Sequence, residues 1–259
     1  MKTPYKTIKV IQDYYFSKVE IVESGGKKYI LKSVPDFFAF QPKRQMYLSK
    51  RCKKTLIPKI KWTKTKEGRM YFLMEYIESD KKTSSKSTYI QTLNVLHQET
   101  IGCASKLFPV YDYAVFKNEF RKSKKLIPRP LYERLDDSLE DFKDIFDMRQ
   151  SVVHGDWVPA QLIPRKGRNY IIDFEMSFRG PSILDHAHFF LKDKTIDPKF
   201  IKMMRTDKPM FLKARIVEVV RKFGWVINSM ASGHTKYKFE SETKGYVDIL
   251  ERLAKEYFI

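Results

Sequence analysis

His154-Gly155-Asp156-Trp157-Val158-Pro159-Ala160-Gln161 is followed, ten residues on, by Ile172-Asp173-Phe174-Glu175. The two stretches set Asp156 and Asp173 seventeen positions apart. Between them Leu162-Ile163 reads as a strand, Arg165-Lys166-Gly167-Arg168-Asn169 as a turn and Tyr170-Ile171-Ile172 as a second strand. A hairpin of this size returns on itself, so its two ends, and the two acids with them, are expected at one mouth. Two carboxylates so placed suit a division of labour. One accepts a proton from a hydroxyl and the other holds a divalent cation. Phosphoryl transfer asks for that division, because the protein's part in it is positioning and charge neutralisation.

The same stretch resembles the catalytic segment of the aminoglycoside phosphotransferase and choline kinase group, a branch of the protein-kinase-like fold. That group shows His-Gly-Asp, four further residues and an Asn, a hairpin, an apolar residue before an Asp, and a later Asp at a small apolar helix start. The last element corresponds to Gly180-Pro181-Ser182-Ile183-Leu184-Asp185-His186-Ala187. Upstream, Tyr29-Ile30-Leu31-Lys32 is similar to the strand carrying a phosphate-binding lysine. Tyr71-Phe72-Leu73-Met74-Glu75-Tyr76-Ile77 is similar to the strand entering an adenine-binding hinge, and Leu96-His97 to a pair that ends the next helix. The resemblance spans residues 19–190.

This resemblance implies an α+β, kinase-like fold of two lobes: a strand-rich nucleotide-binding lobe over residues 1–77 and a mainly helical catalytic and substrate-binding lobe over 78–259. It implies ATP and Mg²⁺ as cofactors and a small-molecule hydroxyl (sugar, amino alcohol or antibiotic-like) as acceptor. Asp156 becomes the catalytic base. Asp173 becomes the main Mg²⁺ ligand, with Gln161 second and Glu175 a candidate for a further cation. Lys32 binds phosphate. At the hinge the Glu75 carbonyl and the Ile77 N–H face adenine and Met74 flanks the ring. His154 and Asp185 support the catalytic loop. His97, His186 and His188 have no metal-ligand spacing, and His97 reads as a packed residue.

Two positions depart from the group's pattern. Gln161 stands where it has Asn, keeping the amide oxygen but adding a methylene. The helix after Lys32 offers Lys43-Arg44-Gln45-Met46 where an acid pairs with the lysine. Lys32 is therefore expected to lack an acidic partner and to be less firmly aimed. The alternative these changes raise is a catalytically weak or inactive kinase-like protein that binds nucleotide or an anionic partner.

Composition bounds the rest. The 259 residues are 42% apolar and 14% aromatic, enough for a sizeable core and unlike a disordered chain. The net charge is +19, unevenly spread: residues 1–77 hold 18 Lys and Arg against 6 Asp and Glu, hence +12, and the remainder 32 against 25, hence +7. A lysine-rich composition with solvated faces accounts for this better than a nucleic-acid or anionic-polymer partner, because no nucleic-acid-binding motif interleaves the lysines. The acidic run Asp136–Asp141 likewise reads as the solvated face of an amphipathic helix. Cys52 and Cys103 lie far apart and read as reduced thiols of a cytoplasmic protein. The basic start Met1–Lys6 leads into no apolar region, so it reads as no signal peptide. No apolar run nears the roughly 20 residues of a transmembrane helix.

Hydrophobic periodicity places strands at 19–23 and 28–34 around Gly25-Gly26, and a helix over 41–54. A second hairpin is expected over 60–64 and 70–77. Asp13–Ser17 occupies the place of a nucleotide loop but has no glycine. Ser79–Ser87 reads as a flexible linker. Helices are expected from the stripes Tyr89–Thr100, Leu135–Phe146, 209–229 and 246–258.

Overall fold

The computed structural model describes residues 5–14, 17–80, 84–231 and 239–259. Residues 1–4 of the Met1–Lys6 reading, 15–16 of the Asp13–Ser17 reading and 81–83 of the Ser79–Ser87 linker lie outside these residues.

In chain order the strands and helices are β1 (Lys6–Asp13), β2 (Lys18–Ser24), β3 (Lys27–Pro35), α1 (Phe40–Arg51), β4 (Ile60–Lys66), β5 (Arg69–Glu75), α2 (Lys86–Thr100), α3 (Tyr113–Lys122), α4 (Arg129–Asp137), α5 (Lys143–Asp147), β6 (Gln150–Val153), β7 (Leu162–Arg165), β8 (Arg168–Ile171), β9 (Phe178–Pro181), α6 (Ile183–Phe189), α7 (Pro198–Met203), α8 (Lys208–Ala231) and α9 (Phe239–Tyr257). They form two compact units. The first comprises residues 1–100, 105–108 and 158–176; the second comprises 101–104, 109–157 and 177–259.

In the first unit five antiparallel strands run in the order β1-β2-β3-β5-β4. The β2–β3 turn pairs Ser24 with Lys27, leaving Gly25 and Gly26 between them at φ 57° and 70°. Two successive positive φ values match the right-handed strand twist and favour glycine, which is why this pair of residues fixes the register. Glu67 and Gly68 turn β4 into β5 in the same way, at φ 51° and 69°. Along β3, Ile30, Lys32 and Val34 share a face by alternation. Val34, Phe72 and Met74 form a buried cluster, with Ile30, Phe38, Ile60 and Met70 packed against it. Each such side chain removed from water contributes about 1.5–3 kcal/mol.

α1 buries three polar residues, Gln41, Arg44 and Gln45. Their i, i+3, i+4 spacing puts them on one face. β7 and β8 form the hairpin expected after Gln161, turning through Lys166 and Gly167 at φ 49° and 70°. Asp80 is fastened to that hairpin: its N–H donates to the Pro164 carbonyl (2.7 Å) and its carboxylate accepts from the Lys166 N–H (2.6 Å). The start of the expected flexible linker is thus tied down, and α2 already begins at Lys86.

In the second unit β6 and β9 pair antiparallel, from Gln150 with Pro181 to Val153 with Phe178. The long helix α8 packs against α3, α6 and α9. Its Ile216, Val217, Val219, Val220, Phe223 and Val226 are buried. The Leu135–Phe146 stripe is not one helix. It breaks into α4, a 3-10 turn over Leu139–Phe142 and α5, while Leu135, Leu139 and Phe142 stay buried. α3 has no counterpart in the sequence reading, although Asp112 caps it by accepting from the Val115 N–H (2.9 Å) and Phe116 and Phe120 are buried at helical spacing. Among the described residues no helix is long and apolar enough to cross a membrane.

Candidate active site

The first unit gathers a charged cluster around Lys32. The β3 register carries this lysine inward, and its side chain is 9% exposed. Its Nζ donates to Asp173 Oδ1 at 2.7 Å and to Glu175 Oε2 at 3.3 Å. Burial alone would lower the ammonium's pKa; the two carboxylates overcome that and raise it. Asp173 directly follows β8 and Ile172 and takes φ 67°, a left-handed conformation uncommon outside glycine. Glu175 lies two residues on, in the 3-10 turn Phe174–Met176. It also accepts from Gln41 Nε2 (2.8 Å), and its backbone carbonyl accepts from Arg44 Nη1 (2.8 Å). Arg44 in turn donates to the Leu107 carbonyl (2.7 Å) and lies over the Phe40 ring at 4.2 Å.

Lys32 is therefore not without an acidic partner, and that expectation is corrected. The acids come from the segment after β8 and not from α1. Helix α1 supplies Gln41 and Arg44 instead, which orient Glu175. Gln45, where the group's pattern has an acid, turns to the Pro58 carbonyl (2.7 Å) and to the Met74 sulfur (3.6 Å).

Gln161 is buried, and its backbone carbonyl accepts from the Ile172 N–H (3.1 Å), which ties it to the residue before Asp173. At the end of β5, Glu75 receives the Lys59 N–H on its carboxylate (3.1 Å) and its own N–H donates to the Lys59 carbonyl (3.0 Å). Met74 belongs to the buried cluster described above, and Ile77 is buried.

The second unit holds Asp156. β6 ends at Val153, and the His154-Gly155-Asp156 loop follows with Gly155 at φ 81°. Asp185, in the first turn of α6, is fully buried and accepts from the His154 N–H (2.7 Å) and the Gly155 N–H (2.9 Å). His154 is fully buried, its ring edge-on to Trp157 with centroids 5.3 Å apart. Asp185 braces the loop backbone through these two hydrogen bonds.

Around Asp156 lies a set of residues that sequence reasoning missed. His188 Nε2 is 3.5 Å from Asp156 Oδ1, and its Nδ1 is 2.8 Å from Glu218 Oε1. Arg221 donates to both Glu218 oxygens at 2.7 Å and to the Gly155 carbonyl at 2.5 Å. Lys222 Nζ stands 3.7 Å from Asp156 Oδ1. Glu218, Arg221 and Lys222 share one face of α8 by i, i+3, i+4 spacing. The available signal was three charges set among the apolar Val217, Val219, Val220 and Phe223, since a helix that buries charges does so for a partner.

Burial alone would raise the Asp156 carboxyl. The His188 contact, then the charges of Lys222, His188 and His154, override it and hold the group well below the usual carboxylate range. Glu218 is treated alike: burial would raise it, but Arg221's charge and the hydrogen bonds from His188 and Arg221 bring it down to about 2. Asp156 thus stands ionised, its side chain 38% exposed, while its neighbours are buried.

No protein-family model matches the chain, and no curated protein matches it. Solved structures do. A choline/ethanolamine kinase family protein from Mesorhizobium loti superposes with a TM-score of 0.68 at 11% identity, over 99% of this chain and 90% of that one. The choline kinase LicA from Streptococcus pneumoniae gives 0.64 at 18% identity, over 96% and 95%. The aminoglycoside phosphotransferase APH(4)-Ia gives 0.65 at 12%, over 94% and 93%. The chain has the kinase-like fold of these proteins. Its strand-rich sheet and helical remainder match theirs, as the sequence led one to expect. A variant of APH(4)-Ia has been solved with AMP-PNP and hygromycin B, and the spectinomycin phosphotransferase APH(9)-Ia with ADP and spectinomycin.

Proposed function

We propose that the protein is an ATP-dependent phosphotransferase that phosphorylates a hydroxyl of a small molecule. The observation that carries this reading is the buried Lys32 held at 2.7 Å from Asp173 and 3.3 Å from Glu175. A lysine fixed by carboxylates is aimed as phosphate binding requires, which counts against a decayed site. The kinase-like fold and the nucleotide analogues in similar structures support the same reading.

In this proposal residues 1–77 serve the nucleotide, with Lys32 on its phosphates, the Glu75 carbonyl and Ile77 N–H toward the adenine edge and Met74 behind it. Residues 78–259 supply metal ligands, catalysis and acceptor binding. Asp173 and Gln161 offer hard oxygen donors of the kind Mg²⁺ takes, and Glu175 adds a third. Mg²⁺ at such a site would be held by one or two carboxylates plus phosphate and water. Bound Mg²⁺ would neutralise charge on the phosphate oxygens.

Asp156 accepts a hydrogen bond from the acceptor hydroxyl and orients it for in-line attack. Because its carboxyl is held low, it positions the hydroxyl first and takes the proton late, which a loose transition state permits. His154 and Asp185 keep the loop in shape. We place the activity in the cytoplasm and assign the surplus of lysine to solvated surface.

A thermal shift with Mg-ATP tests the nucleotide half. At about a hundredfold above Kd, binding should add roughly 2.7 kcal/mol of stability. Asp173→Ala should lose the Mg²⁺-dependent part of that gain. A wild-type chain with no gain from Mg-ATP would exclude the reading.

A further inference from the structure

Lys222 presents a charge that the reaction as written does not use. Its side chain is 11% exposed, and at 3.7 Å from Asp156 Oδ1 it is near enough for an ion pair but too far for a hydrogen bond. Among the described residues Asp156 is the one carboxylate at ion-pair distance from this ammonium, and the charge of Glu218 also acts on it. An ammonium has three donors. A long lysine drawn mostly out of water, with one carboxylate at ion-pair distance, has donor capacity left for a ligand. Burial and the neighbouring Arg221 charge push it down to about 8, so it still carries its charge at neutral pH.

The acids nearby are already engaged. Glu218 receives two hydrogen bonds from Arg221 and one contact from His188. Asp156 Oδ1 faces both His188 and Lys222. Among the described residues the two carboxylates at this point, Asp156 and Glu218, each already face a basic partner, and a buried ammonium stands close by, an arrangement that disfavours a cationic acceptor. An acceptor with a negative group beside its hydroxyl would supply what Lys222 lacks.

We propose that Lys222 is a specificity-determining residue, and that the acceptor is an anionic hydroxyl compound, a carboxylate or phosphate ester whose charged group binds Lys222 while its hydroxyl meets Asp156. The inference rests on the reading of Asp156 as the residue that orients the acceptor, and it names the substrate class of that site.

Matched probes test it on the full chain: D-glucuronate, D-glucose and D-glucosamine, with inorganic phosphate as the simplest anion, each titrated by calorimetry. Glucuronate and phosphate should bind more tightly than glucose, and glucosamine least. A charge-assisted hydrogen bond is worth about 1.5–3 kcal/mol, so Lys222→Met should weaken the anions by roughly ten- to a hundredfold. Lys222→Arg should restore part of that, and glucose should lose less than the anions do under either change. Asp156→Asn should leave phosphate binding equal or tighter, since it removes a like charge; a merely structural role for Lys222 predicts none of this pattern. Unliganded melting of each variant checks that it folds. Anion binding that is undetectable in the wild type, or unchanged in Lys222→Met, would overturn the proposal. Mg-ATP and mass spectrometry then separate the two claims. Lys222-dependent anion binding with no phosphorylated product would count against the phosphotransferase reading alone. Phosphorylation of glucosamine ahead of glucuronate would sink the anionic acceptor alone.

Discussion

Asp156 and Glu218 are two carboxylates drawn below their ordinary range, sharing the His188 contact, and they differ in exposure: Glu218 is buried, whereas Asp156 opens to solvent. For Glu218 the folded value, about 2, lies below an unfolded value of about 4.3. A carboxyl that resists protonation when folded contributes stability that is full above the unfolded value and is lost as pH falls through the folded one. Urea unfolding of the wild type should therefore weaken between about pH 4 and about pH 2. Glu218→Gln should flatten that decline and, by leaving Arg221 unpaired, cost about 3–5 kcal/mol at neutral pH. An unchanged acid limb would remove Glu218 from the network. Gln161 makes a separate residue-scale case. If its amide oxygen is a metal ligand as proposed, the shorter Asn would displace that oxygen, and Gln161→Asn should lower turnover, since a misplacement near 1 Å can cost on the order of 10²-fold. Turnover equal to wild type at saturating Mg-ATP would take Gln161 off the ligand set. Asp156, Asp173 and Lys32 were singled out as candidates because motif order marks them. The pairing of Lys32 with Asp173 and Glu175 was not legible, because they lie 141 and 143 positions away and only the folded register joins them.

Elements announced by turn chemistry were read well. Gly25-Gly26 and Glu67-Gly68 fix their hairpins by positive φ, a local property that a local reading detects. β1 escaped because it is an edge strand with Ile8, Val10 and Ile11 exposed and two register shifts against β2, so its sequence carries no clean alternation. The stripe at Leu135–Phe146 misled because 3-10 and α turns bury nearly the same positions over so short a span. The contact of α3 with α8 has a sharper consequence. A Cβ on Gly224 would fall 2.6 Å from the Glu119 carboxyl carbon, and that carboxylate is itself held by the Tyr111 hydroxyl at 2.7 Å. Gly224→Ala should destabilise by about 1–3 kcal/mol through overpacking, despite alanine's better helix propensity. Gly224→Ala with Glu119→Ala should cost less than the sum of the two single changes. Strict additivity in denaturant melts would mean that the two residues do not meet.

At the scale of the whole molecule, fold and chemistry were legible to different depths. The kinase-like architecture followed from the ordered resemblance over residues 19–190, and the superpositions reproduce it at 11–18% identity over nearly the full chain. The α8 face of Glu218, Arg221 and Lys222 did not follow, since charges on a helix read as solvated until the neighbours that bury them are known. The proposed reaction is transfer of the ATP γ-phosphoryl group to a small-molecule hydroxyl. The direct measurement supplies γ-labelled ATP and Mg²⁺ to the wild type and to Asp156→Asn with an acceptor panel that includes anionic hydroxyl compounds. Label in a phosphorylated acceptor is read by chromatography and mass spectrometry, and nucleotide affinity is measured alongside. The wild type should give labelled product, and Asp156→Asn should show a rate lower by about 10² to 10⁴ with nucleotide affinity retained. An Asp156→Asn variant that transferred label at the wild-type rate would contradict this reading, as would a wild type that bound Mg-ATP and labelled no acceptor in the panel.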